Sequence, residues 1–548
     1  MRRSLNVQEV IELLFGEEEC EPISSSSSGE ESDVEGDEVT DPSLDSDEEN
    51  GPIHRGHRRT SPKRSRSPQA QPHHRSGPWR TGNDPDTAKQ ISPFMPRRTP
   101  GAQVDARAVC SPLDLFQLYF SPTTVLTLCR NTNRYAANNK EMGNKSEWAD
   151  VEVEEFYKFL GLLKFMSLVS LPSIEDYWAH SGILSVPFPA SVMAWDRFSA
   201  LLWNVHPSDP EEDVKNDEKK GTPAYDKLFR IKPLMEDILT ACQAHYHPRK
   251  ELAVGERVVA TEAKTGTNQF MNAKPARRGI KLFVLADSSN GYTVNFDIYM
   301  SKAHARTAHG LAYDAVMHLI QPSHLGTGYH VYMDSFFTSP QLFLDLAGMK
   351  FGACGTYRDN MKGCPTGREN ALTSRSERGT VRWIREGSLV FLKWMDKLEV
   401  SVCSTIHPAA SEEFVKRRLK GKDGRRVVKN VPYPALIIAY NKNMGVFDPS
   451  NQCHPTHRRT THWYRTLFLH LVDIAAANAY ILHCDVSASN RATPMSRKDF
   501  HTELVSQLCG ADMTGAPTDR TVDHVPVAIA TVTDASLKAS RGRRKCQH

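Results

Sequence analysis

The sequence lacks the features that direct a chain into a membrane or out of the cell. No run of eighteen or more apolar residues occurs, and the nearest approach, around residues 160–171, is interrupted by Lys164. We therefore expect no transmembrane helix. The N-terminal residues MRRSLN lack an apolar signal core, so we do not expect secretion. The eleven cysteines include no Cys-x-x-Cys pair, which is typical of reduced thiols in the cytosol or nucleus.

The formal net charge of +3 hides an uneven distribution of charge. Residues 1–54 contain seventeen Asp and Glu but only Arg2 and Arg3, a net charge of −15. The rest of the chain then carries 3 − (−15) = +18. A basic body with a detached acidic segment indicates a nucleic-acid partner, or a tail that competes with one. A solubilising tail on an ordinary protein is the alternative.

The composition predicts a disordered tail over residues 1–107, first acidic and then basic. Five consecutive serines at 24–28 precede an acidic stretch that ends at Glu49, and such residues bury too little apolar surface to offset the entropy of ordering. The segment HRRTSPKRSRSP at 57–68 indicates nuclear localisation or phosphate contact, and Ser61 and Ser67 precede prolines as candidate phosphorylation sites. A solvated linker is the alternative. We expect a nuclear protein.

The apolar period changes along the rest of the chain. Residues 112–244 show helical spacing, with an acidic surface loop expected at 207–222. Strands are then predicted at 252–260, 279–287 and 292–300, the last two joined by a turn that contains Asn290 and Gly291. A helix at 308–320, a strand at 330–336, a helix at 340–347 and a strand at 351–357 follow. This is the order of an RNase H-like core in a mixed α+β fold, an order that other α+β domains share. A final helix is predicted at 463–483.

Long segments in this order resemble the piggyBac transposase family and its transposable-element-derived relatives. The segments are LAVGERVVATEAKTG (252–266), YHVYMDSFFTSPQLF (329–343), KFGACGTYRDNMKGCP (350–365), AYNKNMGVFDPSNQ (439–452) and HRRTTHWYRTLFLHLVDIAAANAYIL (457–482). The resemblance covers roughly residues 108–485. It implies an RNase H-like catalytic core that contains an insertion domain and is flanked by a helical dimerisation and DNA-binding domain.

The resemblance also implies the following domain borders. The helical domain takes residues 108–247 and 456–485, the core takes 248–360 and 434–455, the insertion domain takes 361–433, and a polar tail takes 486–548. The family's cysteine-rich zinc domain would follow there, but Cys546 stands alone, and a structural zinc site needs four ligands. We therefore expect no zinc.

Family members cut and join DNA at TTAA sites with aspartates that hold two divalent cations. Mg²⁺ prefers oxygen ligands, and two such ions activate the attacking oxygen and stabilise the leaving one. By resemblance, Asp334 and Asp448 are the second and third catalytic aspartates. Gly255 replaces the first aspartate, and Asn451 replaces a further one. We therefore expect weak or absent Mg²⁺ binding.

Glu256 is the neighbour that could replace the missing first carboxylate. Successive side chains on a strand point to opposite faces, so Glu256 faces away from Asp334 unless the strand bulges at Gly255.

Basic residues in two regions are predicted to contact DNA phosphates, with a solvated surface as the alternative. Trp463 would stack on an unpaired base or anchor the last helix as a core residue. The predicted DNA-binding set is Lys264, Lys274, Arg277, Arg278, Lys281, His457, Arg458, Arg459, Trp463 and Arg465.

The sequence thus predicts a piggyBac transposase-derived nuclear protein that binds double-stranded DNA, with TTAA-containing sites as candidates. We expect a homodimer without efficient cleavage or strand transfer. Three alternatives stay open: an active transposase or nuclease that uses Glu256, a chromatin or protein-interaction scaffold, and a decaying copy without a selected role.

Overall fold

The structure, a computed structural model, describes residues 78–87, 91–105, 111–141, 148–261, 269–270, 278–299, 309–409, 413–420, 426–447 and 462–511. The acidic segment, HRRTSPKRSRSP and Cys546 lie outside these residues. So do Asp448 and Asn451.

Helices and strands alternate along the described residues as expected of a mixed α+β chain. The helices are α1 (Pro112–Gln117), α2 (Pro122–Glu141), α3 (Val153–Leu168), α4 (Pro187–Val192), α5 (Trp195–Asn204), α6 (Pro210–Asp217), α7 (Lys232–His245), α8 (Leu311–Leu319), α9 (Pro322–Leu325), α10 (Pro340–Gly348), α11 (Ala435–Met444), α12 (Trp463–Ser489) and α13 (Arg497–Cys509). Two 3₁₀ turns lie at Glu175–Trp178 and Gly445–Phe447.

The strands, in chain order, are β1 (Arg80–Thr81), β2 (Met95–Pro96), β3 (Gly101–Ala102), β4 (Tyr246–His247), β5 (Glu251–Ala260), β6 (Gln269–Phe270), β7 (Arg278–Asp287), β8 (Thr293–Ile298), β9 (Gly326–Thr327), β10 (His330–Met333), β11 (Gly352–Thr356), β12 (Val381–Glu386), β13 (Leu389–Met395), β14 (Glu399–Ser404), β15 (Phe414–Lys420) and β16 (Arg426–Pro432). Each strand and helix predicted between residues 252 and 357 is present. The order β5, β7, β8, α8, β10, α10, β11 is the predicted one.

The chain forms two units, which we describe separately. Of the described residues, those within 78–94 and 327–445 form the first unit, and those within 95–326 and 446–511 form the second.

Helix α12 is the main core helix of the second unit. It buries the apolar residues that its spacing predicted, namely Phe468, Leu471, Ile474, Ala475 and Ala479. It packs against α1, α7, α13 and β5. Among the described residues it is also the one helix with the length and composition to cross a membrane, and 67% of its apolar stretch is buried inside the protein, as in a core helix.

Lys164, which interrupts the longest apolar run, is itself a core residue. It lies on α3 with only 2% of its side chain exposed, and its Nζ donates to Asp473 Oδ1 on α12 at 2.8 Å. A buried charge needs such a partner, because desolvation of an unpaired ammonium is very costly. This ion pair joins α3 to α12.

Strands β5, β7 and β8 form an antiparallel sheet in the second unit. The pairing of β5 with β7 runs without interruption from Leu252 opposite Asp287 to Ala260 opposite Gly279. The predicted turn links β7 to β8, and Gly291 adopts a φ of 81° there, which favours glycine. Asp287, the last residue of β7, is buried, and its carboxylate accepts hydrogen bonds from Tyr246 Oη and the backbone N–H of Arg249.

Within the first unit, the hydrogen-bonded strands follow the order β1, β12, β13, β14, β11, β10. Strands β10 and β11 are parallel and are connected through α10, whereas β14 pairs antiparallel with β11. Three strands of the region predicted as an insertion domain, β12–β14, therefore extend the sheet of β10 and β11. Among the strands that the structure describes, β15 and β16 pair only with each other.

Disorder was predicted for residues 1–107. Residues 78–87 and 91–105 are instead part of the folded structure, so the prediction is wrong for these two segments. Trp79 is buried and donates through Nε1 to the carbonyl of Gly367 at 2.8 Å. Asp86 accepts a 2.7 Å hydrogen bond from Arg385 Nη2. Their partners lie almost 300 residues away along the chain, and local composition cannot reveal such contacts.

The predicted polar tail also contains structure, since residues 497–509 form α13. Phe500, Leu504 and Leu508 of this helix are buried, and the helix packs against α3. The approach is close at Gly161, where an added Cβ would lie 2.6 Å from Cys509 Sγ. The few apolar residues of α13 are therefore enough to attach this helix to α3.

Candidate functional site

The predicted second catalytic aspartate lies at one edge of the first unit's sheet. Asp334 follows β10 directly, and Thr356 is the last residue of the parallel neighbour β11. Because Met333 pairs with Gly355, both strands end at the same edge. Carboxyl ends of parallel strands are where α/β proteins commonly place functional groups.

Hydrogen bonds to the following turn hold Asp334 in place. Its Oδ1 accepts the backbone N–H of Phe336 at 2.8 Å, and its main-chain oxygen accepts the Oγ1 hydroxyl of Thr338, also at 2.8 Å. Thr338 is buried against β11 at Gly355, where an added Cβ would lie 2.2 Å from Thr338 Oγ1. Glycine at 355 therefore makes room for the threonine that positions Asp334.

A buried tyrosine, Tyr440, lies near the ends of β10 and β11 in the first unit. Tyr440 lies on α11, and its hydroxyl is 3.4 Å from Thr356 Oγ1. Burial raises the pKa of Tyr440 well above its usual range; the hydrogen bond from Thr356 opposes this, and the negative charge of Asp334 adds to it. Tyr440 is therefore a neutral phenol near the Asp334 carboxylate.

The position of the missing first aspartate lies in the middle of β5 in the second unit. Gly255 is buried and pairs with Val284, and the register of β5 and β7 has no bulge at this point. Side chains at 255 and 257 therefore share one face, and Arg257 Nη1 donates to Thr293 Oγ1 at 3.0 Å on that face. A cationic side chain, that of Arg257, therefore lies two residues from Gly255 on the same face of β5.

Glu256 lies on the opposite face of β5 and already has a partner. Its carboxylate forms an ion pair with Lys281 of β7, and both side chains are only 8% exposed. The Nζ of Lys281 also lies 5.2 Å from the centre of the Phe283 ring. Because the strand does not bulge, Glu256 keeps this orientation, and the structure gives it the role of a buried ion-pair partner.

Two of the four family positions for divalent cations lie within the described residues. Of the four family positions, Gly255 has no side-chain ligand, Asp334 is the one described carboxylate, and Asp448 and Asn451 lie outside the described residues. Within the part of the chain that the structure describes, no group of three or more His, Cys, Asp or Glu side chains could hold a metal ion.

Two residues predicted to contact DNA lie in the interior, which corrects that prediction. Lys281 is the partner of Glu256. Arg465 is 4% exposed, donates through Nε to the carbonyl of Val205 at 3.3 Å, and lies over the Tyr464 ring at 5.6 Å. Both cationic side chains therefore stabilise the interior of the protein, because each contacts buried partners.

The other predicted DNA contacts stay predictions. Trp463 begins α12, is partly exposed and makes an edge contact with the Tyr464 ring at 5.9 Å, so its role in base stacking is untested. Arg278 is the first residue of β7, but the structure does not describe its side chain. The residues wholly outside the described ranges are Lys264, Lys274, Arg277, His457, Arg458 and Arg459.

A buried polar cluster that the sequence did not predict lies in the second unit. His206 Nε2 is 2.6 Å from Asp213 Oδ2, Ser208 Oγ donates to Asp213 Oδ1 at 2.7 Å, and the Tyr135 ring stacks on His206 at 4.2 Å. The expected surface loop at 207–222 contains helix α6 here, and Asp213 faces inward. His206, Ser208 and Asp213 are all buried, so these hydrogen bonds satisfy polar groups in the interior of the second unit.

Comparisons with known proteins agree with this architecture. The family model described as Transposase IS4 matches residues 111–480. The human PiggyBac transposable element-derived protein 3 is 26% identical over 404 residues, which cover 69% of this chain and 64% of the relative. The human PiggyBac transposable element-derived protein 2 is 24% identical over 383 residues, 68% of this chain and 61% of the relative. The match therefore spans less than two thirds of the length of these curated relatives.

A solved structure confirms the predicted fold. The cryo-EM structure of a piggyBac transposase synaptic complex with hairpin DNA matches with a TM-score of 0.62 and 21% sequence identity. The match covers 77% of this chain and 86% of the other. The mixed α+β fold with an RNase H-like core is thus the fold of this chain.

Proposed function

Because the chain belongs to the Transposase IS4 family and is a piggyBac transposase-derived protein, we propose that it binds DNA but has lost efficient cleavage and strand transfer. The family assignment confirms the resemblance seen in the sequence. DNA binding and the loss of chemistry are the two parts of the proposal that need a test.

The arrangement at β5 is the observation that carries the loss of chemistry. Gly255 supplies no ligand, Arg257 shares its face, and Glu256 is bound to Lys281 on the other face. DDE-type transposases usually use divalent metal ions, and such ions need several converging carboxylates to balance their charge. A site without its first carboxylate should bind Mg²⁺ weakly and stabilise a phosphoryl transition state poorly.

The charge of the body and the nature of the solved relative support DNA binding. Residues 55–548 carry a net charge of +18, and polyanionic DNA attracts such a surface at long range. The solved piggyBac transposase was captured in a complex with hairpin DNA. We extend this to double-stranded DNA for the present chain, with TTAA-containing sites, a homodimer and nuclear residence as further parts of the proposal.

An electrophoretic binding assay tests the DNA partner. Full-length protein is titrated into TTAA-flanked and random duplexes, with and without Mg²⁺, at several salt concentrations. We expect a shift that weakens steeply as salt rises and does not require Mg²⁺. Failure to bind either duplex at low salt would favour a protein-interaction scaffold instead.

A calorimetric titration of Mn²⁺ tests the loss of the metal site. The native protein should bind Mn²⁺ weakly and show no Mg²⁺-dependent nicking of DNA with transposon-like ends. Gly255→Asp should raise the affinity because it restores a carboxylate, and Asn451→Asp should add to it. The effects should be non-additive since the ligands act on shared ions.

A matched control uses an exposed carboxylate far from these positions in sequence, Glu175→Gln, which should leave the titration unchanged. Tight Mn²⁺ binding by the native protein, together with nicking, would instead identify an active nuclease.

A further inference from the structure

The two-stranded ribbon formed by β15 and β16 has an unusual composition. Its strands read FVKRRLK and RVVKNVP, which together contain six Lys or Arg and no Asp or Glu. The strands pair antiparallel over seven residues, from Phe414 opposite Pro432 to Lys420 opposite Arg426. Neither strand pairs with the larger sheet of the first unit.

One face of the ribbon is attached to the core of the first unit. Val431 is buried in the apolar cluster that includes Trp394 and Ile437, and Val415 packs against the same cluster. Arg417, on this face, forms an ion pair with Asp396 at 3.4 Å and lies 6.0 Å from the Tyr433 ring centre. These contacts hold the base of the ribbon in a defined orientation.

The opposite face of the ribbon is open to solvent. Phe414 is 63% exposed and Val428 57% exposed, and Lys416 and Asn430 are exposed as well. Because alternate residues share a face, the register adds three more cationic positions to it. They are Arg418, Lys420 and Arg426. This open face therefore has four cationic positions, two exposed apolar side chains and no acidic residue.

Like charges also stand directly opposite each other across the ribbon. On the open face, the cationic positions Lys420 and Arg426 are paired in the register of the two strands. Like charges in such cross-strand pairs repel each other and destabilise a sheet. A bound partner of negative charge would reduce this repulsion in the ribbon. Duplex DNA is such a partner, and a two-stranded β-ribbon fits its major groove.

We propose that the open face of the β15–β16 ribbon, defined by Phe414, Lys416, Arg418, Lys420, Arg426 and Val428, binds duplex DNA. The cationic residues contact phosphates, and Phe414 and Val428 contact sugar and base edges in the groove. This inference rests on the proposed DNA binding of the chain, and the surface lies outside the predicted DNA-binding set.

The test compares two full-length variants in the same binding assay. The ribbon variant changes Lys416, Arg418, Lys420 and Arg426 to Ala. The control variant removes four exposed lysines elsewhere, Lys219, Lys220, Lys227 and Lys362, so that both variants lose the same net charge. The unfolding midpoint of each variant is measured by urea denaturation, and the ribbon variant should be at least as stable as the native protein because a like-charge pair is removed.

The expected readout is the salt dependence of duplex binding. Each phosphate contact contributes a slope of about −0.9 in a plot of log affinity against log salt. Loss of four contacts should reduce the slope by about 3.6, so a fourfold rise in salt weakens native binding on the order of 100-fold more than binding of the ribbon variant. The control variant should keep the native slope.

A Phe414→Ser/Val428→Thr variant tests the apolar contacts, and it should bind DNA more weakly at every salt concentration with an unchanged slope. A ribbon variant with native affinity and slope would overturn the inference while leaving the proposed DNA binding intact. A native protein that binds no duplex overturns both. Native binding to phosphatidylserine vesicles that the ribbon variant loses, with DNA binding unaffected, would assign the face to a membrane surface and refute the inference.

Discussion

Glu256→Gln separates the two roles that this carboxylate could have. In the structure Glu256 is the buried partner of Lys281, whereas an active enzyme would need it as a metal ligand. The substitution keeps the size of the side chain and removes its charge. It therefore removes the negative charge that Glu256 places beside the buried Lys281 ammonium.

The expected cost follows from this burial. Removing one partner of a buried ion pair typically destabilises a protein by about 3–5 kcal/mol. The Phe283 ring, 5.2 Å from Lys281 Nζ, stays in place and continues to stabilise the cation, so we expect about 3 kcal/mol. At about 2–4 °C per kcal/mol, this lowers the melting temperature of the affected unit by roughly 6–12 °C.

Thermal and urea denaturation of the full chain measure this loss. Glu154→Gln is the control, because Glu154 pairs with Lys158 at the surface with 83% of its side chain exposed, and exposed pairs contribute little. Adding Lys281→Met to Glu256→Gln should recover most of the stability, since an apolar side chain suits the site left by a removed ion pair. The double variant then gives the coupling energy of the pair.

The same variants are titrated with Mn²⁺. We expect Glu256→Gln to bind Mn²⁺ as weakly as the native protein. The reasoning is refuted if Glu256→Gln unfolds like the native protein but loses a tight Mn²⁺ site that the native protein has. That result would make Glu256 the replacement for the missing aspartate and would restore the enzyme hypothesis.

Three further predictions concern charge and pH. Deletion of residues 1–54 should tighten DNA binding at low salt, because seventeen acidic residues no longer compete for the basic surface; equal affinity of both chains in a gel-shift titration would exclude competition by the tail. A fluorescent fusion with Arg58, Arg59, Lys63, Arg64 and Arg66 changed to Ala should leak from the nucleus into the cytoplasm under the microscope, and full nuclear retention would move the signal elsewhere, for example to RGRRK at 541–545. Burial, assisted by the charge of Arg257, lowers the pKa of His470 to about 4, so the unfolded chain binds a proton more readily and stability should fall as pH drops from about 6.5 toward 4. His470→Gln should flatten this part of the urea-midpoint profile by up to about 3 kcal/mol, and an unchanged profile would contradict the assignment.

Local sequence patterns were sufficient for most of the fold. Alternating apolar residues predicted β5, β7 and β8, and the Asn290-Gly291 pair marked the turn between the last two. The helical spacing of Phe468, Leu471 and Ala475 predicted the buried face of α12. These predictions succeed because strand and helix periods depend on neighbouring residues, which a sequence displays directly.

Local patterns also indicated part of the candidate site. The residues around Asp334 follow the family motif, and the structure places Asp334 at the end of β10. Alternation of side chains along β5 was enough to place Glu256 on the face opposite Gly255, and the uninterrupted register with β7 agrees with it. No local pattern shows that Thr338 bonds to Asp334 or that Tyr440 lies within reach of its charge, since these residues come from a turn and a helix separated along the chain.

The sequence by itself therefore determined the family, the order of the strands and helices, and the neutral residue at 255. Only the tertiary structure decided which charges face solvent and which are buried. Lys281 and Arg465 looked like phosphate contacts in the sequence but are internal, whereas the ribbon of β15 and β16 presents exposed cations that the sequence had not singled out. The physical reason is that the environment of a charge depends on partners brought together by folding. Asp86 and Arg385, 299 residues apart, meet only when the chain folds.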